Sequence, residues 1–171
     1  MSRTVLVAAA MLAAAVWPAL AQEPGSRQTR DYVQAAAQSD QFEIVEAQTA
    51  LTASRDPQVR DFAQRMIAAH SQTAQALTEA TAKAGLKPPS PGISGDQAQM
   101  LGALQSLAGR DFDRTYLRQQ ALAHRSALTV TQAYAASGDA PAVRQAANAA
   151  GPLIASHLAM VERMRASTDA E

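Results

Sequence analysis

The 171-residue chain contains no cysteine, which excludes disulfides, thiolate nucleophiles, iron-sulfur clusters and cysteine-ligated zinc. Aromatic residues make up only 4%, with a single tryptophan, Trp17, and no repeated aromatic pattern for stacking nucleobases. Charge of one sign is also missing, because fifteen basic and fifteen acidic side chains cancel. Neither a basic footprint for nucleic acid nor a polybasic patch for anionic lipid is therefore present. Serine–histidine–acid ordering and glycine-rich phosphate loops are absent as well, so the sequence leaves enzymatic activity undecided.

The one long apolar run lies at the start. Arg3 is followed by VLVAAAMLAAAV from Val5 to Val16, then by Trp17, Pro18 and the small-residue pattern Ala19-Leu20-Ala21. This is the layout of a secretory signal cleaved after Ala21, and the run is too short for a membrane-spanning helix. The expected mature chain, Gln22 to Glu171, is placed in the periplasm or outside the cell. It loses Arg3 and Trp17, and carries a net charge of about −1. A domain of this size buries roughly two thirds of its unfolded surface, enough to fold without disulfides or metal.

What the chain has in abundance is alanine, with few β-branched runs, so helix is expected throughout. A flexible segment, 22–28, containing Pro24 and Gly25, leads into a first long helix from about Thr29 to Ser54. Asp56-Pro57 supplies the cap and first residue of a second, whose inward stripe reads Val59, Phe62, Ala63, Met66, Ile67, His70, Ala74 and Leu77. Gly85 ends it, and Pro88, Pro89 and Pro91 prevent its continuation. A short helix from about Asp96 to Leu107 follows, with Ser94 or Gly95 near its cap. A third long helix spans about Asp111 to Ala136, closed by Gly138. Asp139-Ala140-Pro141 then starts a fourth, running to about Arg165 ahead of a frayed tail, 167–171.

Asp56-Pro57-Gln58-Val59-Arg60 resembles Ala140-Pro141-Ala142-Val143-Arg144, a weak internal repeat, and a histidine follows each. Short loops within each pair of helices, and roughly 25 residues between the pairs, predict an all-α four-helix bundle with one long crossover containing a short helix. The domain spans 29–166.

His70, His124 and His157 all fall near mid-helix, hence at a common level of such a bundle, and each lies on its own apolar stripe. The first helix offers Glu46 within the arc of Phe42, Val45 and Thr49, with Glu43 on its margin. A carboxylate does not enter such an arc without a partner. Two readings follow. Glu46, His70, His124 and His157 converge to hold one divalent ion such as zinc, copper or iron; or they form a buried polar network with no cofactor. No histidine belongs to a Glu-x-x-His pair. Pro152, inside the fourth helix, frees the carbonyl of Asn148 and is expected to kink it. Asp111, Phe112, Asp113, Arg114 and Tyr116 read as a helix cap and an anchor for the crossover.

Three segments, VRDFAQRMIAAH (Val59 to His70), GRDFDRTYLRQQALAH (Gly109 to His124) and GPLIASHLAMVERM (Gly151 to Met164), together resemble the DUF4142 family of exported bacterial proteins. The similarity runs from about Asp31 to Met164. It implies a ferritin-like bundle without an established activity, with His70, His124 and His157 at the family's motif histidines. Phe112, Asp113 and Tyr116 fall in its FD-x-x-Y segment and Pro152 in an LP-like segment, as structural positions; Gly151 stands here in place of the usual residue before the proline. Ferritin-like di-iron centres use a carboxylate on each helix and two Glu-x-x-His motifs, and this chain has too few inward carboxylates for one. The expected role is non-enzymatic, an envelope or stress-related interaction with a protein partner, in a monomer or small oligomer. The alternative is mononuclear divalent metal binding.

Overall fold

The structure, a computed structural model, describes residues 25–169; the expected signal at 1–21 lies outside the described residues. Five helices follow in order: α1 Arg27–Ala53, α2 Pro57–Lys83, α3 Gly95–Gln105, α4 Gly109–Ser137 and α5 Pro141–Asp169. No strand is present among the described residues. The expected all-α bundle with a helix-bearing crossover is the fold observed.

Local chemistry sets the helix ends. Ser26 caps α1 by accepting from the Thr29 amide, so the helix begins at Arg27, two residues before the expected start. The Asp56 carboxylate accepts from the Gln58 and Val59 amides at the start of α2. Ser94 and Gln97 form a reciprocal capping box on α3. Gly85, at φ +68°, lets the chain leave α2 with Gly85 N–H donating to Ala82 O and Leu86 N–H to Thr81 O, the Schellman pattern. The sequence repeat is a structural one. Arg60 reaches back to the carbonyls of Leu51 and Ser54 at the end of α1, and Arg144 to that of Gly138 at the end of α4. In each case an arginine three residues after the opening proline satisfies carbonyls that the preceding helix leaves open.

α1 packs chiefly on α2, and α4 on α5; α1 also lies against α4, and α2 against α5. Two cores stand at opposite ends. One gathers Ala50, Val59, Phe62, Phe112, Tyr116 and Val161, with Leu104 of α3 inserted. The other gathers Tyr32, Val33, Leu77, Tyr134, Val143 and Ala147. Helix ends sort between them so that α1 runs parallel to α5 and antiparallel to α2 and α4. The segment between α2 and α4 thus carries the chain back along the bundle.

Phe112 and Tyr116 are fully buried in the first core. Asp113 lies beside them at the foot of α4; burial raises its pKa, a hydrogen bond with Ser54 opposing. α5 continues through Pro152 and extends to Asp169 instead of ending near Arg165. A Cβ at Gly151 would meet no atom within 4 Å, so packing does not require glycine there. No helix among the described residues is long and apolar enough to cross a membrane.

Candidate metal centre

Between the two cores the bundle carries a polar layer, and each of the four long helices supplies one member. Glu43 comes from α1, His70 from α2, His124 from α4 and His157 from α5. All are buried, Glu43 and His124 completely. The three imidazoles form a nearly equilateral triangle with each pair of ring centroids 5.5 Å apart, and their planes are inclined to one another by 55–80°. One ring nitrogen from each lies within 4.8 Å of the others. This is the convergence expected of the histidines from their common level along the helices.

The carboxylate among them is Glu43. Its Oε2 lies against His70 Nε2, and its Oε1 lies 3.7 Å from His124 Nδ1. Glu46, one turn further along α1, is equally buried, and its Oε2 accepts a 2.9 Å hydrogen bond from Gln120 Nε2. Asp40, one turn before Glu43, was not among the sequence candidates. Its Oδ1 bonds His70 Nδ1 at 2.9 Å and accepts from Thr73 Oγ1 at 2.7 Å.

These partners fix which nitrogens face inward. His124 Nδ1 lies 2.8 Å from the backbone carbonyl of Gln120; a carbonyl only accepts, so Nδ1 carries the proton. Burial, reinforced by His70, lowers the pKa of His124 against the opposing pull of Glu43, so its Nε2 is a bare lone pair. His157 is held neutral in the same way, its pKa lowered to about 4 by burial and by His124 and His70. At His70 burial also opposes protonation, but Glu43 and Asp40 outweigh it and raise the pKa to about 10. Glu43 answers in kind: burial works against its charge, yet His70 and His124 hold its pKa below the usual value. Glu46, desolvated with only Gln120 in compensation and repelled by Glu43, is raised to about 8.

Two buried ring nitrogens in this layer, His124 Nε2 and His157 Nδ1, lack any hydrogen-bond partner, and His70 Nε2 and Glu43 Oε2 are answered only by each other. An orphaned buried acceptor costs about 1–3 kcal/mol, and native interiors rarely hold several side by side. Three imidazole nitrogens and a carboxylate oxygen are a donor set suited to zinc, copper or iron. The outward nitrogens of His70 and His124 are tied to a carboxylate and a backbone carbonyl, the usual supports of a metal-binding imidazole.

Similarity to known proteins bears on the fold more than on this centre. A solved structure described as the crystal structure of a DUF305 fragment from Deinococcus radiodurans superposes with a TM-score of 0.72. It covers 84% of this chain and 99% of that one at 20% identity, a likeness of fold alone. No curated protein matches. The sequence matches the family described as Domain of unknown function (DUF4142) over residues 14–164, a span that takes in all three histidines together with Asp40, Glu43 and Glu46 of α1. The chain belongs to the DUF4142 family.

Proposed function

We propose that this protein is an exported binding protein for a single divalent transition-metal ion, held by His70, His124, His157 and Glu43. One observation carries the reading: four buried ligand-type atoms, one from each long helix, lie in one layer, two of them without any hydrogen-bond partner and the other two facing only each other. A metal-free network would leave His124 Nε2 and His157 Nδ1 buried with no donor to satisfy them. The expected signal at 1–21 places the site outside the cytoplasm, and the single long crossover favours ranking the bundle with ferritin-like folds. With one carboxylate in the ligand set, the centre suits one ion and not a carboxylate-bridged pair.

Metal–nitrogen bonds of about 2.0–2.1 Å bring tetrahedral ligands to within about 3.4 Å of one another. The imidazole nitrogens, within 4.8 Å, therefore close inward by small side-chain movements on binding. Glu43 is the fourth ligand; Glu46, engaged by Gln120, stands behind it and is not assigned to the ion.

Titration calorimetry of chelator-stripped protein with zinc and with copper tests this. About one equivalent per chain is expected, abolished in His70→Ala and His124→Ala. Absence of stoichiometric binding would return the layer to a purely packing role and leave the envelope-interaction reading in its place.

A further inference from the structure

Beside the histidine layer, toward the Tyr32–Tyr134 core, lies a cavity of about 610 Å³. Alanine creates it: Ala36, Ala127, Ala146 and Ala150 line its walls from α1, α4 and α5. The space is a cleft open to solvent, because a methyl group from either hairpin is too short to close it; Ala35, Gln72 and Ala149 stand exposed along its mouth. Two large apolar side chains stand exposed among the described residues, Leu122 at 57% and Val130 at 39%. Both border this cavity. Eight residues apart on α4, they share one helix face, so the exposed apolar surface is gathered at its rim.

The wall nearest the histidine layer is polar. Asp40 and His70 line it together with Thr73. Asp40 is 8% exposed, and its Oδ1 serves both His70 and Thr73. Its Oδ2 makes no hydrogen bond to any described residue. Volume in the range of small-molecule sites, apolar walls and one buried acceptor with a spare oxygen together define a ligand.

We infer that this cavity binds a small, mostly apolar molecule whose hydroxyl or amine end donates a hydrogen bond to Asp40 Oδ2. An apolar acid of the same length is disfavoured, because two acceptor-only carboxylates would meet in an apolar surround. The inference is independent of the metal reading: His70 lines the cavity, but His124 and His157 do not.

The test uses residues 22–171 in the presence of chelator, titrated with N-phenyl-1-naphthylamine, a neutral fluorophore with one N–H. Saturable binding near one per chain is expected, with emission enhanced and shifted to the blue. Decan-1-ol should displace the probe at concentrations at least about tenfold lower than decanoate, the ratio set by one buried hydrogen bond made or opposed. In Asp40→Asn, whose amide can donate to a carboxylate, that ratio should fall toward unity. Ala150→Phe should weaken the probe by about tenfold or more by occupying its space; Ala149→Phe, at the exposed rim, serves where Ala150→Phe does not fold. Non-saturable binding, equal displacement by alcohol and acid in the parent protein, or unchanged affinity in a folded phenylalanine variant each overturns the inference.

Discussion

Asp40 Oδ1 and His70 Nδ1 meet at 2.9 Å, and that contact leaves Nε2 of the same ring to Glu43 and to the centre of the layer. A carboxylate on the far nitrogen orients a metal-binding imidazole and raises its basicity. Asp40→Asn should therefore keep the stoichiometry of zinc binding near one while weakening affinity by about 10–100-fold, measured against a competing chelator dye. Unchanged affinity would show that Asp40 does not position His70.

His124→Leu removes the bare Nε2 and fills its space with an apolar side chain of similar size. Metal binding should be lost, while the chelated protein gains about 1–3 kcal/mol in urea unfolding, because an unsatisfied buried acceptor has gone. A residue kept only for packing predicts the opposite sign. A destabilised variant that still binds zinc contradicts the assignment.

Stability should depend on pH in a direction set by three groups. His70, at about 10 in the fold against 6.5 ordinarily, contributes fully below pH 6.5 and loses that contribution as pH rises toward 10. Glu46, at about 8 against 4.5, acts the same way across its own window, since the folded state holds the proton longer. His157, at about 4, has the opposite sign: its contribution is present above 6.5 and disappears as pH falls toward 4. In chelator the melting temperature should fall from pH 6.5 to 9. Saturating zinc should raise it by about 5–10 °C at pH 7.5, for about 2.7 kcal/mol of linkage at a hundred times Kd. A metal-free protein whose melting temperature climbs across that alkaline window would refute the charge assignment.

Tyr32 and Tyr134 stack at 4.2 Å with planes 3° apart, joining the antiparallel helices α1 and α4, and the Tyr134 hydroxyl pairs with Thr29. Gly138 closes on this ring: a Cβ there would stand 2.5 Å from Tyr134 Cε1 and Cζ. Gly138→Ala should cost about 1–3 kcal/mol by overpacking, read as a melting-point loss of about 2–10 °C with metal affinity retained. An unshifted melting point would mean that the ring yields freely.

The histidines were legible because each sits on an apolar stripe near mid-helix, and level along a helix follows from counting residues. The acids of α1 were harder to place. Asp40, Glu43 and Glu46 are spaced by three, and three residues fall about 60° short of a full turn, so the row drifts around the helix. Asp40 consequently meets α2, Glu43 lies between α2 and α4, and Glu46 meets α4. The sequence arc gave Glu46 the central place and left Glu43 at the margin; which acid lies opposite the imidazoles depends on how α1 is rotated, and neighbouring helices set that rotation. Three acids at this spacing among Phe42, Ala47 and Ala50 were the available signal.

The two hydrophobic ends, rich in small side chains, would tolerate one hairpin sliding along the other, since alanine offers little to distinguish one turn from the next. The acid–imidazole layer between them does not. A shift by a single turn, about 5.4 Å, would carry the paired Glu43 and His70 away from His124 and His157 and part the buried Glu46 from its Gln120 donor. The layer thus acts as a vernier mark, selecting one longitudinal register for the hairpins before any ion is bound.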